Sequence, residues 1–403
     1  MPARVVITGL GCVSGPGLGV HEFWNAVVNG YSAIAPLTGI SDDLKIRTGA
    51  TVRDYRPEEH YSAEDLRLLD RFSQFAVLAA REAAADAGLA YGEPILRNAA
   101  AIIGTGCGGK QTDEETYAEL YKKGKSRAHP LTIPRGMPSA SASMVSMHLG
   151  ITGPVFSTTS ACASAAHAIV QGYLMIQSGL MDIAVVGGSD APFTYGLLKS
   201  WEALRVVSNE TCRPFSYDRS GIVLGEGAGM IVLESEAHAR QRGAEIYAEV
   251  AGCGLSSDAS HITRPDIDGI VKAIESAMNH AHLAPEEFDY INAHGTGTET
   301  NDITETEALN RVFGSHAGRM AVSSTKAVHG HALGASSAME VIATVLAIYR
   351  SVVPPTANFT LAGVGCDLDY VPNSPREMPV KAALSNSFAF GGLNVVLAIT
   401  SYA

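Results

Sequence analysis

The chain has 403 residues, 46% of them hydrophobic and 17% charged, with a formal net charge of -12 at pH 7. That length and apolar content suit one large domain or two medium ones around a buried core, and exclude a disordered chain. The acidic balance argues against general nucleic-acid binding, which needs a basic surface.

The N-terminus, MPARVVITGLG, enters a strand-like segment without the charged, apolar and cleavage regions of a signal peptide. No run of about 18 apolar residues follows, so a cytoplasmic protein with no membrane insertion is expected. Short β-branched segments then alternate with longer alanine-rich ones of helical period. VVIT (5–8) precedes FSQFAVLAAREAAADAG (72–88), AAIIG (100–104) precedes the helical stretch after Cys162, and DIAVVGG (182–188) and GMIVLE (229–234) follow. The alternation predicts an α/β protein with buried sheets.

A second round begins with IYAEVAGCG (246–254). It continues through helical DGIVKAIESAMNHAH (268–282), YINAHG (290–295), AVSSTKA (321–327), a helix from about residue 334, and strands around LSNSF and NVVLAIT. No low-complexity linker intervenes, and the expected division is 1–244 and 245–403. SACASAAHAIVQGYLMIQSG (160–179) and GHALGASSAMEVIATVLAI (330–348) correspond: each is a small-residue entry followed by an alanine-rich helix. Both helices are apolar or small nearly all round, as a helix enclosed on every side must be. Two halves with one such helix each predict five layers, α-β-α-β-α.

Within TTSACASAAHAI (158–169), Cys162 lies between the strand-like VFSTTS and the predicted helix. There the helix dipole and unpaired amides favour a thiolate, so position would activate a nucleophile. The six cysteines are scattered, without zinc-ligand spacing, and read as free thiols in a reducing compartment. Most histidines, such as His21, His167 and His282, read as satisfied polar residues. His294, in INAHGTGTETND, and His331, in SSTKAVHGHALGASS, differ because a glycine flanks each and lets backbone and substrate approach closely.

A thiol and two histidines at strand ends suit acyl-thioester chemistry. The thiolate takes an acyl group, and neutral imidazoles donate hydrogen bonds to a developing enolate or oxyanion. Lys326 and Glu305 read as a charged pair ordering this site, or as a surface pair. LSNSFAFGGLN (384–394), with Phe388 and Phe390, reads as a mobile segment beside an apolar channel or as a tight turn between core strands. The basic run KKGKSR (122–127) reads as a solvated loop or as a docking patch for an acidic partner.

Together, VVITGLGCVS, ACASAAHAI, PFSYDRSGIVLGEGAGM (214–230), NAHGTGT, SSTKAVHGH and NSFAFGG stand in the order and spacing of one family. The chain resembles the β-ketoacyl-acyl-carrier-protein synthases of the thiolase superfamily, in particular the elongating Cys-His-His type. The resemblance implies a duplicated thiolase fold, a dimer and decarboxylative Claisen condensation. It makes Cys162 the acyl-accepting nucleophile, and gives His294 and His331 the decarboxylation of a malonyl group and the stabilisation of its enolate. It places the oxyanion hole at the amides of Cys162 and Phe390, with Phe390 also a gatekeeper and Phe388 beside it at the substrate.

It further implies that Lys326 and Glu305 form a buried ion pair, and that Thr296 and Thr298 contact the phosphopantetheine arm, which arrives on the carrier protein. No bound cofactor is required. Asn292, Glu340, Ser385 and Asn386 match positions that hold a structural cation in some members. Acidic carrier proteins call for cations at the tunnel mouth, and Arg67, Arg71, Arg127 and Arg205 are the candidates.

The chain departs from the family where Ala389 replaces a glycine and Leu393 a threonine, which implies a stiffer gate and one polar contact fewer, and His329 stands where the enzymes of primary fatty acid synthesis commonly have a threonine. Synthases of nodulation-factor acyl chains and of aryl polyenes resemble it more closely. Asp113, in the polar GKQTDEETY (109–117), and Thr132 stand where apolar residues often line the acyl pocket. They imply a longer, unsaturated or partly polar substrate, or a local shift in alignment. The expected dimer is formed with a copy of the chain or with a chain-length-factor paralogue, and a second reading makes this chain itself such a condensation-dead partner. A thiolase is the third, although no second cysteine occurs in SFAFGGLN.

Overall fold

The computed structural model describes residues 2–402. Its first half supplies five principal strands: β1 (Val5–Ser14), β2 (Ala100–Gly104), β3 (Val155–Thr158), β4 (Ile183–Asp190) and β5 (Gly227–Ser235). The second half supplies β6 (Ala248–Ser257), β7 (Tyr290–Asn292), β8 (Ala321–Ser323), β9 (Ala382–Ala389) and β10 (Leu393–Thr400). The principal helices are α1 (Arg71–Asp86), α2 (Lys110–Tyr121), α3 (Ser164–Gln177), α4 (Tyr195–Leu204), α5 (Ile267–Ala281), α6 (Glu299–Phe313) and α7 (Ser336–Arg350).

The hydrogen-bonded path runs β8-β7-β9-β10-β6-β1-β5-β4-β2-β3. Read from either end it repeats itself: third, second, fourth, fifth, first strand of each half. Directions repeat as well, with the second strand of each half parallel to the third and fourth, and the fifth antiparallel to the fourth and first. The halves join where Val5–Ile7 pairs with Ala248–Val250. The duplication inferred from two alanine-rich helices is thus a duplication of the whole sheet topology. β3 ends the path, and its residues are only half-buried.

Three apolar clusters mark the layers. One lies between the sheets around the central helices α3 and α7. A second lies outside the first sheet under α1, and a third outside the second sheet under α5. The expected α-β-α-β-α order is therefore present. Every residue of α7 from Ser336 to Ile348 is buried, which explains why its sequence carries almost no polar face. Among the described residues, Leu333–Arg350 is the one helical stretch long and apolar enough to cross a membrane, and 89% of it is buried as this central helix.

The outer helices sit on the sheets through the same contact in both halves. Gly9 and Gly11 on β1, like Gly252 and Gly254 on β6, lie directly under alanines of α1 and α5. A Cβ on Gly11 would stand 2.0 Å from the Ala79 carbonyl oxygen, and one on Gly254 would stand 1.9 Å from that of Ala273. The closeness has a polar consequence. On α1, Glu82 and Asp86 reach β1 and accept from the amides of Cys12 at 2.8 Å and Leu10 at 2.9 Å, which keeps these strand donors satisfied.

Because neither backbone can give by that much, Gly254→Ala is expected to destabilise the fold by about 1–3 kcal/mol. A thermal melt should show a lower midpoint, and an unchanged midpoint would contradict the close approach.

Candidate active site

Cys162 lies at the centre of a 3₁₀ turn, Ala161–Ala163, between β3 and α3, which begins at Ser164. Ala161 is held at φ +48°, a conformation that costs a non-glycine residue free energy and that the surroundings must enforce. The Ser164 hydroxyl does so: it donates to the Ala161 carbonyl at 2.6 Å and accepts from the Ser160 amide at 2.9 Å. The expected strand-to-helix elbow is present, with the thiol two residues ahead of the helix.

His294 follows β7, and His331 follows β8 and the short helix Lys326–His329. The Cys162 sulfur and one ring nitrogen from each histidine lie within 4.8 Å of one another. The hydrogen bonds fix both tautomers. His331 Nδ1 accepts from the Leu333 amide at 3.1 Å, and His294 Nδ1 faces the Lys326 ammonium at 3.3 Å. Each ring must therefore carry its proton on Nε2, and His331 Nε2 is buried with no partner. Burial, reinforced by the Lys326 charge, holds both imidazoles well below the ordinary histidine range. The site thus presents two neutral N–H donors.

Cys162 departs from the dipole argument. Burial pushes its thiol up to about 12, with Lys326 opposing the rise. The thiol is the resting form, and the helix start and Lys326 favour the thiolate as the proton leaves.

Lys326 is completely buried, donates to the His294 carbonyl at 2.5 Å and pairs with Glu340 on α7. Its partner is therefore not Glu305. That carboxylate, on α6, is engaged with the loop after β7. It accepts from the amides of His294 and Gly295, both at 2.8 Å, and from Asn386 Nδ2 at 3.1 Å. Backbone donors have taken the place of the expected cation. Asp302, one turn earlier on α6, accepts from the Gly297 amide at 3.2 Å and steadies the same loop. His329 is also fully buried, hydrogen-bonds Thr325 Oγ1 at 3.0 Å and is pushed down to about 3 by burial and then by Lys326.

A cavity of about 240 Å³ leads from Cys162, His294 and His331 to the surface. Thr296 and Thr298 line it, their hydroxyls 2.9 Å apart, and Phe388 packs with its ring centroid 6.0 Å from that of His294. Phe390 faces Trp201 at 6.1 Å between centroids. Residues 390–392 are the turn between the paired strands β9 and β10, so the tight-turn reading of this segment holds, although the turn also lines the cavity. The Gly391 amide donates to the Ile262 carbonyl at 2.7 Å, which ties this turn to the loop after β6. Sequence reasoning missed that loop and Trp201, since nothing local marks a residue that reaches a cavity formed by distant segments.

Thr132 and Asp113 do not line this cavity. Thr132 bonds Thr116 at 3.2 Å, and Asp113 pairs with Lys110 at 3.2 Å in a separate groove between α2 and α4. Arg67, Arg127 and Arg205 are exposed. Arg71 is not a free cation: its guanidinium grips Glu226 at 2.7 and 2.8 Å and stacks over Phe75. Along KKGKSR, Lys125 pairs with Glu119 at 2.8 Å on an exposed loop.

The four residues matched to a cation share one neighbourhood. Asn292 and Ser385 are register partners across β7 and β9, Asn386 follows, and Asn292 Nδ2 donates to the Glu340 carbonyl at 3.0 Å. Asn292 Oδ1, Glu340 Oε2, Ser385 Oγ and Asn386 Oδ1 are all buried without a hydrogen-bond partner. Unpaired buried oxygens of this kind fit a hard cation.

Residues 3–239 match the Beta-ketoacyl synthase N-terminal domain, and residues 247–360 match the Beta-ketoacyl synthase C-terminal domain. Nodulation protein E of Rhizobium sp. (strain N33) is 50% identical over 400 residues, covering 99% of each chain. The 3-oxoacyl-[acyl-carrier-protein] synthase 2 of Synechocystis sp. (strain ATCC 27184 / PCC 6803 / Kazusa) is 40% identical, covering 99% of this chain and 98% of the relative. Among solved structures, the ishigamide ketosynthase/chain length factor is 36% identical with a TM-score of 0.95, covering 100% of both chains. AntDE:AntF, a type II PKS acyl-carrier protein in complex with its ketosynthase bound to the hexaketide, is 33% identical with a TM-score of 0.90, again covering 100% of both. Similarity of this extent spans both halves and all three residues around the cavity, and the chain belongs to the β-ketoacyl synthase family.

Proposed function

We propose that the chain is a β-ketoacyl-acyl-carrier-protein synthase that extends a Cys162-bound acyl group with malonyl units. The observation that carries this reading is the meeting of one buried thiol with two neutral imidazoles whose tautomers turn N–H donors toward it. Cys162 takes the acyl group from a carrier thioester. In a second thioester, the malonyl carbon–carboxylate bond breaks, carbon dioxide leaves, and its electron pair passes into an enolate held by Nε2–H of His294 and His331. The enolate carbon then bonds to the acyl carbon and the Cys162 thiolate departs. The amides of Cys162 and Phe390 hold the intervening oxyanion, and Phe390 gates the cavity. Burial and the Lys326 charge keep both imidazoles neutral.

Thr296 and Thr298 receive the phosphopantetheine arm, which the carrier brings, so no bound cofactor is needed. Asn292, Glu340, Ser385 and Asn386 hold a structural cation that neutralises their buried oxygens. The exposed Arg67, Arg127 and Arg205 meet the acidic carrier. A second chain, either a copy or a chain-length-factor paralogue, covers the open edge at β3. The presence of all three reacting residues disfavours the reading of this chain as the inactive member of such a pair. The reaction belongs to fatty acid or type II polyketide or polyene synthesis in the cytoplasm.

Incubation with acyl carrier proteins of varied chain length is expected to add an acyl mass to the protein, and Cys162→Ala to abolish both adduct and condensation. Intact-mass spectra without an adduct at any length would refute the assignment. For His294→Ala and His331→Ala, acylation should persist while carbon dioxide release from malonyl carrier falls by about 10²–10³-fold, the range for one lost oxyanion donor. Undiminished release in both variants would remove the role given to the imidazoles.

His329 supplies a pH test. Its folded-state pKa is depressed from 6.5 to about 3, so its contribution to stability is intact above about pH 6.5 and lost as pH falls from there toward 3. Between pH 7 and pH 5 the protein should lose about 2 kcal/mol more stability than His329→Thr. Urea denaturation at the two pH values measures this difference, and equal losses would contradict it.

A further inference from the structure

One buried carboxylate outside the cavity ties the two halves together beside His331. Asp190 closes β4, is fully buried and ends an otherwise uncharged run, IAVVGGSD. Its Oδ1 accepts from Thr105 Oγ1 at 2.8 Å and from the Cys107 amide at 3.0 Å. Its Oδ2 accepts from the Gly106 amide at 2.8 Å and from the Gly334 amide at 2.7 Å. Four donors occupy the four lone-pair sites of an ionised carboxylate. Three of them come from the loop after β2, and the fourth comes from the other half, three residues beyond His331.

Gly334 is the counterpart of Cys162. Each is the middle residue of a 3₁₀ turn opening a central helix, and each follows a non-glycine residue with positive φ, Ala161 at +48° and Leu333 at +50°. In the first half this turn presents a thiol, whereas in the second it hands its amide to Asp190. The same turn supplies the Leu333 amide that accounts for the tautomer of His331. Adjacent amides thus divide the work, one orienting the imidazole and the other anchoring the turn. The anchor has no slack, since a Cβ on Gly334 would stand 2.4 Å from the Gly106 nitrogen and 2.7 Å from Asp190 Oδ2.

We infer that Asp190 is a positioning residue for condensation: by holding the Gly334 amide against the first half, it aims His331 Nε2–H at the malonyl thioester oxygen. The inference rests on the role proposed above for His331. Asp190 acts through the backbone and does not touch the substrate.

Asp190→Asn keeps the shape but sets an NH₂ group against backbone donors. Three rates separate the possibilities in the full-length protein: acyl transfer to Cys162 by intact mass, carbon dioxide release from malonyl carrier, and condensation. Acylation in Asp190→Asn should stay within about twofold of the unaltered protein. Carbon dioxide release and condensation kcat should fall on the order of 100-fold, with KM for malonyl carrier little changed, the loss expected for a misplaced catalytic group. Gly334→Ala, checked for folding by circular dichroism, should reproduce the same split from the other side of the contact, and it decides the matter if Asp190→Asn does not fold. Equal losses in acylation and decarboxylation, or no loss in either, would overturn the inference. Failure of the unaltered protein to become acylated would instead overturn the proposed reaction itself.

Discussion

A single ammonium group, that of Lys326, organises the chemistry of this molecule. Burying a cation completely is costly unless it is paired and hydrogen-bonded. Here Glu340 provides the charge and the His294 carbonyl the hydrogen bond. In return the cation depresses the imidazoles of His294, His329 and His331 and opposes the rise that burial imposes on the Cys162 thiol. One charge therefore lowers the imidazoles and favours the anionic form of the thiol beside them. A neutral side chain of the same size would fill the space and provide neither effect.

Duplication explains how so much buried polarity is tolerated. Each half is a complete sheet with its own outer helix packed on glycine, and the central helices α3 and α7 cross where the two halves face each other. The Ala166 amide of one donates to the Ser337 hydroxyl of the other at 2.9 Å. Strand ends from both halves converge on one cavity. The halves are alike in backbone and unlike in inventory, since one provides the thiol and the other the donors and the cation.

The architecture was readable because alternation of β-branched and alanine-rich segments is a local property, and the two enclosed helices betray themselves by lacking a polar face. Cys162, His294 and His331 were readable for a similar reason: each sits among small residues shortly beyond a strand, His331 after one short helix. Ionic partnership was not readable. Nothing along the chain says whether Glu305 or Glu340 faces Lys326, because both are acidic residues on helices and only the fold decides which one backbone amides consume. Arg71 misled for the same reason, since a basic residue looks free until Glu226 is brought to it from 155 positions away. Asp113 lines a different groove from the one its alignment suggested, and Thr132 bonds Thr116 away from the cavity.

The edge strand β3 carries a further consequence. It ends the sheet, is half-buried, and runs directly into the turn that holds Cys162. A second chain laid along that edge would bear on the strand that leads into the thiol turn, while Cys162, His294 and His331 all belong to this chain.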